Sequence, residues 1–595
     1  MMTLLFTQMK NHNAWSAIKG LIYAGLLLLL GLSAAVAATT AAAPEQKYLV
    51  LCYHSVPARF NGDPGAISAA NLAEQLSWLR DRGYTGISMD DVLQAKAGIK
   101  KLPELSFLLT VDDGYEDFYI NAFPILKLYK VPAVLALVGK WIEEPGQQRN
   151  FTDRFFAQQR FVTWAQVREM EASGLVEMAS HSYDLHHGIL ANPQSNMQPS
   201  AVTLQYDPET KKYETPEQRR QRVRADLQKN SALIAKHTGK TPRIMVWPYG
   251  AMDGIGAEEA ARAGMPINFT LPDGLASTAD TEAVSRTLIG NELPLSSFSY
   301  TVQYGHLRLG SDPIRAIKLN LDRIHDSDPV KQDQNLGRVL DQIARLGINA
   351  VLLQPFVTPS KDGTIQEVYF PNSVLPMRAD LLNRVAWQLR TRLGVDVFML
   401  IDTSKFAREE NGALHRMDFA NPQDRENLLT LYGDLSLHAS SQGLMFDGAR
   451  ADAAQLAFNA ELLKRMNYYR PPTLAYYAGG GAVTPDDASG KAAYGSMDGR
   501  YSLLTVAAPV NAAPAELEAF VRGLSPSQVN ILSLPVKDAS KKELENIVAK
   551  IRFFRRHGAA DFLLDSDDFL DDPAKLDLVR KAASLKNNPL VSPGK

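Results

Sequence analysis

The sequence has a single cysteine, Cys52, which lies in an apolar stretch near the start of the chain. One thiol can form neither a disulfide within the monomer nor a cysteine-based metal site. The fold must therefore depend on large apolar cores, and 595 residues are enough to build them.

The chain also lacks an excess of charge of either sign. The 63 Lys and Arg residues nearly balance the 65 Asp and Glu residues, which leaves a formal net charge of −2. This balance excludes the broad basic field that attracts nucleic acids or anionic surfaces. With 45% apolar and 22% charged residues, the composition is that of a globular protein, and the length favours roughly two to four domains.

Long apolar runs are missing except at the N-terminus, where one covers residues 20–33. Two lysines precede it, and Ala35-Val36-Ala37 follows with the small residues that a signal peptidase reads. Residues 1–37 are therefore predicted to be a signal peptide of an exported protein, and residues 38–46 a linker. The run is shorter than the about 20 residues that a membrane span needs, although an uncleaved anchor stays an alternative. No cysteine lies at the end of the run, so lipidation of the leader there is excluded.

Residues 47–308 alternate between apolar runs typical of strands and patterns typical of helices. The predicted strands are Tyr48–His54, Phe107–Val111, Pro132–Val138, Val176–Ser180 and Ile244–Trp247. The predicted helices are Leu72–Arg82, Asn121–Tyr129, Trp164–Ser173 and Pro216–Lys236, the last a charged, amphipathic surface helix. This alternation predicts a parallel α/β domain, either a barrel or a partial barrel.

The pattern restarts near Gly310, so residues 309–595 are predicted to form a second domain. Its strand candidates are Ile317–Leu321, Ala350–Gln354, Val397–Ile401, Gly443–Phe446, Leu474–Tyr477, Leu503–Val506, Val529–Leu534 and Phe562–Leu564. Eight strands separated by helices over about 280 residues is the pattern of a (β/α)8 barrel. The predicted fold class is α/β: a barrel-like domain followed by a TIM-type barrel.

The stretch Asp112-Asp113-Gly114 comes directly after the strand Phe107–Val111. Ligands and catalytic groups collect at the carboxyl ends of strands in parallel α/β folds. Two adjacent carboxylates there can divide two tasks, since one can bind a cation while the other handles a proton. The alternative is a turn that only ends the strand, for which Asp and Gly are common residues.

Two histidines, His181 and His186, follow the strand Val176–Ser180. They are five positions apart. On a regular helix this spacing would point the two side chains in different directions, but on a turn that leaves a strand they can converge. Two imidazoles and one carboxylate, with positions left open for water, form a typical catalytic site for a divalent metal. His54 also ends a strand of this domain, and this common placement favours a metal site over unrelated surface histidines.

A third stretch, Val246-Trp247-Pro248-Tyr249-Gly250, ends the strand Ile244–Trp247. Pro and Gly explain it as a simple turn. The functional alternative is that the turn directs a backbone N–H and an aromatic ring at a bound substrate.

In this order, the three stretches resemble the motifs of the polysaccharide deacetylases of carbohydrate esterase family 4, over residues 46–300. Segments 161–170 and 375–392 further resemble one branch of that family, the periplasmic N-deacetylases of poly-β-1,6-N-acetylglucosamine. In that branch a C-terminal barrel binds the partly deacetylated polymer. The resemblance implies a periplasmic hydrolase of a linear amide that promotes export of a biofilm polysaccharide. It also implies a monomer that works with an outer-membrane export porin.

The resemblance further implies roles for individual residues. Asp112 would be the general base. The ligands of one divalent metal ion, which could be Zn, Ni, Co or Fe, would be Asp113, His181 and His186. The residues facing the substrate or its oxyanion would be His54, Trp247, Pro248 and Tyr249.

The sequence departs from the family pattern at two positions. Val246 stands where many members have an arginine, and Asn291 stands where a general-acid histidine is expected. These departures leave Asp112 to return the proton as well as to accept it. A peptidoglycan or chitin-oligomer deacetylase and a glycan-binding export factor with a decayed site stay open as alternatives.

In the second domain, Asp402 and Asp447 follow the third and fourth predicted strands. Glycoside hydrolysis normally needs two carboxylates, and these two are candidates for such a pair. The favoured interpretation is a cleft whose carboxylates only attract the ammonium groups of a deacetylated polymer. A glycoside hydrolase with an accessory deacetylase domain is the third alternative.

Overall fold

The structure, a computed structural model, describes most of the chain outside the leader. The described residues are 44–144, 160–272, 274–304, 313–446, 453–471, 476–480, 503–524 and 529–585. The predicted signal peptide and the predicted boundary between residues 308 and 309 lie outside these ranges and stay predictions. Among the helices within them, none is both long and apolar enough to cross a membrane.

The first half of the chain forms a curled, largely parallel sheet and two small hairpins. Its strands are β1 Lys47–Tyr53, β2 Thr85–Gly86, β3 Ser106–Val111, β4 Ala133–Leu137, β5 Val176–Ser180, β6 Gly188–Leu190, β7 Met197–Pro199, β8 Tyr206–Asp207, β9 Lys212–Tyr213, β10 Ile244–Val246, β11 Ile267–Phe269, β12 Ala276–Ser277 and β13 Thr287–Leu288. The main sheet has the order β11-β10-β5-β4-β3-β1-β12, with β13 parallel to β1 and β2 parallel to β3. Because β1, β3, β4, β5 and β10 are parallel, their carboxyl ends share one edge of the sheet.

Helices cover this sheet and join its strands. They are α1 Ala69–Asp81, α2 Met89–Lys96, α3 Phe123–Tyr129, α4 Gly139–Glu143, α5 Trp164–Ala172, α6 Pro216–Thr238, α7 Gly254–Arg262 and α8 Leu295–Tyr304. Both faces of the sheet are apolar, as expected for parallel strands covered on both sides. In β1, for example, Leu49 and Leu51 pack in one core while Tyr48 and Val50 pack in the other.

The second half of the chain forms a closed, parallel barrel. Its strands are β14 Arg315–Asn320, β15 Ala350–Gln354, β16 Asp396–Ile401, β19 Gly443–Phe446, β20 Tyr476–Gly480, β21 Leu503–Ala507, β22 Val529–Leu534 and β23 Phe562–Leu564, and a hairpin of β17 Ala407–Glu410 and β18 Ala413–Arg416 follows β16. The helices are α9 Pro329–Leu346, α10 Leu382–Leu393, α11 Pro422–His438, α12 Ala453–Tyr469, α13 Pro514–Gly523, α14 Lys541–Arg556 and α15 Pro573–Ala583. Register pairs β23 with β14, which closes the barrel.

The predicted fold class is confirmed. Every strand predicted from the sequence is present with its ends within three residues of those expected, because each is a short apolar run bounded by turn residues. The prediction missed ten short strands, which carry too few residues to show a pattern: β2, β6, β7, β8, β9, β11, β12, β13, β17 and β18. Strand β13 matters for function, as described below.

Helix α6 lies where the sequence predicts a charged, amphipathic helix, and it has one buried and one exposed face. The helix begins after Thr215, whose side chain accepts a hydrogen bond from Gln218 N, and ends at Gly239 with φ 81°. Its inner face buries the polar side chains of Arg219, Asn230 and Ser231. Buried polar groups need partners, and those of Asn230 lie at the functional edge of the sheet.

Polar contacts join the two halves of the molecule. Asn383 on α10 accepts hydrogen bonds at Oδ1 from Asn192 Nδ2 and Gln198 Nε2, both at 2.8 Å. Arg470, just after α12, donates from Nη2 to the carbonyl of Val202 at 2.6 Å. The segment between β5 and α6, which begins with both predicted histidine ligands, therefore also supplies contacts to the barrel.

Candidate metal and catalytic centre

The residues predicted to form the site come together at the shared carboxyl edge of the sheet. His54 directly follows β1, the pair Asp112 and Asp113 follows β3, and His181 follows β5. His186 lies on the loop after β5 and points back to the same place, so its imidazole lies 4.9 Å from that of His181, centroid to centroid. The topology thus accounts for the meeting of residues that are distant in sequence.

Asp113, His181 and His186 form a compact set of metal-ligand atoms. Asp113 Oδ1 lies 3.4 Å from His181 Nε2 and 3.3 Å from His186 Nε2. One ligand atom from each of the three residues lies within 4.8 Å of the others. The spacing leaves room for a cation at their centre, and Asp113 Oδ1 is buried without a hydrogen-bond partner.

Hydrogen bonding at His181 supports the fit to a cation. Its Nδ1 lies 2.7 Å from the carbonyl oxygen of Val246, an acceptor, so Nδ1 carries the proton and donates it. In the neutral ring, Nε2 then presents a lone pair to the carboxylate of Asp113. Burial by itself lowers the pKa of His181, but the carboxylates of Asp112 and Asp113 outweigh it and raise the pKa, so Nε2 lies where positive charge, a proton or a metal ion, is favoured. A ligand histidine fixed through its other nitrogen is typical of metal sites.

The protonation states of His186 and Asp113 also suit metal binding. Burial lowers the pKa of His186 to about 4, which keeps this imidazole neutral. Burial by itself raises the pKa of Asp113, but the imidazoles of His186 and His181 outweigh it and hold the pKa below its usual value. A carboxylate and a neutral imidazole are the forms that bind a divalent cation.

Strained backbone directs these side chains. Asp113, Ser182 and Tyr249, one in each of the three predicted stretches, have φ values of 75°, 71° and 59°. Left-handed conformations of non-glycine residues each cost of order 1–3 kcal/mol and concentrate at functional sites. Gly114 follows with φ 77°, and a Cβ there would lie 3.0 Å from Leu137 Cδ2, so this turn needs glycine.

Asp112 has surroundings quite different from those of its neighbour. Its Oδ1 accepts a hydrogen bond from Arg286 Nη1 at 2.7 Å, and both side chains are almost fully buried. Its Oδ2 lies 3.6 Å from Cys52 Sγ and 3.9 Å from His54 Nε2. The two adjacent aspartates therefore face separate partners, an arginine for one and two imidazoles for the other.

The charge of Asp112 is maintained despite burial. Burial by itself raises the pKa of the carboxyl, but Arg286 and the imidazoles of His181 and His54 outweigh it and lower the pKa below its usual value. Arg286 is in turn held by hydrogen bonds from Nε to the carbonyl of Thr270 at 2.9 Å and from Nη1 to Thr110 Oγ1 at 3.3 Å. The result is an oriented, ionised carboxylate beside the ligand set.

Sequence reasoning missed the role of Arg286. The arginine expected two residues before Pro248 is replaced by Val246, and Arg286 instead comes from the residue before β13. Strand β13 pairs with β1 through Leu51 and Cys52, which brings Arg286 to Asp112 from the far side of the sheet. The two-residue strand carries no periodic signal, so nothing local could have indicated this contact.

The third predicted stretch contributes less than expected. Trp247 is fully buried, packs in a core with Met245, and donates from Nε1 to Asn268 Oδ1 at 2.8 Å, so the prediction that its side chain faces a substrate was wrong. Pro248 is also buried. The ring of Tyr249 is 37% exposed and lies 4.6 Å from the ring of His186.

An aromatic residue that was not predicted also packs against His186. The ring of Trp141, on α4, lies 4.8 Å from the ring of His186. Phe161 packs against Trp141 at 5.3 Å and against Tyr115 at 5.4 Å. These three rings are buried in one small core, so they support His186 from behind and do not form a surface for a sugar.

The second-domain prediction is corrected in part. Asp402 is 1% exposed, and its Oδ1 accepts hydrogen bonds from the backbone N–H groups of Ser404 and Lys405 at 2.9 and 3.0 Å. Its Oδ2 pairs with Lys405 Nζ at 2.5 Å. Asp402 therefore closes its own turn instead of presenting an open carboxylate to a glycan. Asp447 lies outside the described residues.

Comparisons with known proteins give two family matches. Residues 100–267 match the family model described as polysaccharide deacetylase, and residues 318–470 match that described as hypothetical glycosyl hydrolase family 13. These segments fall in the first and second halves of the structure, respectively.

Individual relatives agree with both matches. The poly-beta-1,6-N-acetyl-D-glucosamine N-deacetylase of Escherichia coli K12 is 34% identical over 430 residues, which cover 68% of this chain and 62% of that protein, less than two thirds of its length. A de-N-acetylase structure from Aggregatibacter actinomycetemcomitans is 37% identical and covers 43% of this chain and 99% of its own, with a TM-score of 0.39. The structure of the PgaB (BpsB) glycoside hydrolase domain from Bordetella bronchiseptica is 26% identical. It covers 46% of this chain and 100% of its own, with a TM-score of 0.39.

Proposed function

We propose that this chain is a metal-dependent hydrolase that removes N-acetyl groups from poly-β-1,6-N-acetylglucosamine, because residues 100–267 match the polysaccharide deacetylase model and a relative named for that activity is 34% identical. The observation that carries this proposal is that two adjacent aspartates have different surroundings. Asp113 lies with two imidazoles in a ligand set, while Asp112 stays beside it, ionised and paired with Arg286. A hydrolase of this type needs both a cation site and a separate base.

Asp113, His181 and His186 would hold the cation. When bound, a divalent ion polarises the acetamide carbonyl and makes a water molecule more acidic. Asp112 would take the proton of the attacking water, and Arg286 would keep its carboxylate charged and oriented. Tyr249, which is exposed beside His186, would contact the acetylated sugar. The role of the Tyr249 backbone N–H at the oxyanion stays part of this proposal.

We further propose that His54 protonates the leaving amine. Among the described residues near the base it is the imidazole outside the ligand set, its Nε2 lies 3.9 Å from Asp112 Oδ2, and its side chain is 23% exposed. Asp112 could pass its proton to His54 over this distance through a small movement or one water. This assignment replaces the expectation that Asp112 returns the proton unaided.

A His54→Gln variant should separate the two proton transfers. We expect acetate release from the amide to fall about 10²- to 10⁴-fold. Hydrolysis of an acetyl ester with a good leaving group should change little, because such a group departs without a proton. Equal losses on the ester and the amide would assign His54 to an earlier step, such as binding.

The substrate is inferred from the curated relative, whose alignment extends well beyond the segment 100–267 that matches the deacetylase model. The test is acetate release from β-1,6-linked N-acetylglucosamine oligomers, with β-1,4-linked chitin oligomers and peptidoglycan fragments of equal length as controls. We expect at least a tenfold preference for the β-1,6 linkage, since about 1.4 kcal/mol of differential contact is enough for that ratio. Faster release from either control would favour the alternative deacetylase.

The barrel would bind the deacetylated product and not cleave it. This part of the proposal rests on Asp402, which is buried and engaged in its own turn. Asp322 and Asp565 follow the barrel strands β14 and β23, and carboxylates at strand ends attract ammonium groups. Shortening of a partly deacetylated polymer on incubation with the protein would contradict it. Export to the periplasm, an export porin as partner and a monomeric state are further parts of the proposal.

A further inference from the structure

Helix α6 (Pro216–Thr238) carries polar side chains to the loop that bears the two histidine ligands. Asp226 and Asn230 lie one turn apart on this helix and face the loop between β5 and β6. Asn230 is fully buried, which is unusual for asparagine in the middle of a helix. A polar side chain buried in this position needs hydrogen-bond partners, and the partners of Asp226 and Asn230 lie on the loop or at the ends of β4 and β5 beside it.

Asp226 binds the middle of the loop. Its Oδ1 accepts the backbone N–H of Tyr183 at 2.8 Å, and its Oδ2 accepts the backbone N–H of Asp184 at 2.7 Å. These two N–H groups lie between His181 and His186 in the sequence. One carboxylate therefore holds the stretch that determines how the two imidazoles are oriented toward each other.

Asn230 binds the start of the same loop. Its Nδ2 donates to Ser180 Oγ at 2.7 Å and to the carbonyl of Leu137 at 3.0 Å. Ser180 directly precedes His181, and Leu137 ends the neighbouring strand β4. The contact fixes the point at which the chain leaves the sheet.

The opposite side of the loop is held by the start of α4. The backbone N–H groups of Gly139 and Lys140 donate to the carbonyls of Ser182 and Tyr183 at 3.2 and 3.0 Å. Gly139 has no side chain because a Cβ there would lie 2.2 Å from Asn230 Oδ1. The loop is thus enclosed between α4 and α6, and Asp226 supplies its hydrogen-bond acceptors on the α6 side.

We infer that Asp226 is a positioning residue of the metal centre, whose carboxylate holds residues 183 and 184 so that His181 and His186 converge on Asp113. The inference rests on the proposed function. Without such a support, a six-residue stretch with a left-handed residue at Ser182 would sample other conformations, and the metal would have to order it on binding. Groups that orient metal ligands typically contribute about 10- to 100-fold in affinity.

The test compares Asp226→Asn with Ser231→Ala. The asparagine keeps the shape of the carboxylate but turns an N–H₂ group toward one of the two backbone donors. Ser231 lies on the same helix and donates a buried hydrogen bond to the carbonyl of Ala263 at 2.9 Å, away from the histidine loop. It is a matched control for the loss of one polar contact by this helix.

Two readouts apply to the metal-stripped, full-length protein. Competition with a chelator for Zn²⁺ should show a Kd raised about 10- to 100-fold in Asp226→Asn and unchanged in Ser231→Ala. Amide hydrogen exchange without metal should be faster at Tyr183 and Asp184 in Asp226→Asn only. If Asp226→Asn does not fold, Asp226→Glu, which moves the carboxylate by one methylene, should weaken Zn²⁺ binding several-fold.

Wild-type Zn²⁺ affinity in the folded Asp226 variants, or an equal loss in Ser231→Ala, would overturn the inference. Because neither readout uses turnover, the inference and the proposed function can fail separately. A wild-type chain that binds Zn²⁺ and depends on Asp226 for it, but releases no acetate, would reject only the proposed function. A wild-type chain that binds no divalent cation would reject both.

Discussion

Replacing Asp112 by Asn is expected to reduce acetate release about 10²- to 10⁴-fold while leaving the bound metal in place. The carboxylate of Asp112 is aligned by Arg286 and stands beside the ligand set without belonging to it. An amide of the same shape can fill the space but cannot accept a proton from water. The measurement is initial rate of acetate release, with metal content determined on the same protein.

Asp113→Asn is the matched comparison, because it makes the same chemical change one residue away. Here the loss should appear in the metal content first, since Asp113 Oδ1 is the carboxylate atom that faces both ligand imidazoles. Excess metal should restore part of the activity of Asp113→Asn and none of that of Asp112→Asn. Equal loss of metal from the two variants would show that the proposed division between base and ligand is wrong.

Replacing Arg286 by Met is expected to destabilise the first domain by about 3–5 kcal/mol, because it leaves the carboxylate of Asp112 buried without its partner. The arginine side chain is fully buried and makes hydrogen bonds to Thr110, Asp112 and Thr270. Turnover of the folded fraction should also fall sharply, since the base loses its orientation. Urea unfolding followed by acetate release below the transition measures the two effects.

Arg219→Met is the control for that experiment. Arg219 on α6 and Asp253 form a second ion pair with both side chains fully buried, at 2.6 Å, away from the ligand set. Its loss should cost a similar amount of stability, and the folded protein should keep most of its turnover. If Arg286→Met retained the turnover of Arg219→Met, Arg286 would be a structural residue with no part in orienting the base.

The sequence was informative where function depends on ordinary strand ends. Apolar runs such as Phe107–Val111 indicated the strands, and parallel strands bring their carboxyl ends together. The convergence of Asp113, His181 and His186 could therefore be expected without coordinates. The barrel could be predicted in the same way. Its eight strands are short apolar runs, each bounded by turn residues and separated from the next by a helical pattern.

Contacts made through long connections could not be predicted in this way. Arg286 approaches Asp112 from the residue before a two-residue strand, 174 positions along the chain, and Asp226 reaches the histidine loop from an amphipathic helix. Trp247 and Asp402 were wrongly assigned for the opposite reason. Both lie at strand ends, where site residues are common, but one side chain turns into the core and the other closes its own turn.

Removal of metal is the most direct test of the central claim. The purified protein is stripped with a chelator, shown by elemental analysis to be metal-free, and assayed for acetate release from β-1,6-linked N-acetylglucosamine oligomers. We expect release to stop on stripping and to return when one equivalent of a divalent cation per chain is added. Undiminished release by the metal-free protein would contradict the assignment of Asp113, His181 and His186 as a catalytic metal site.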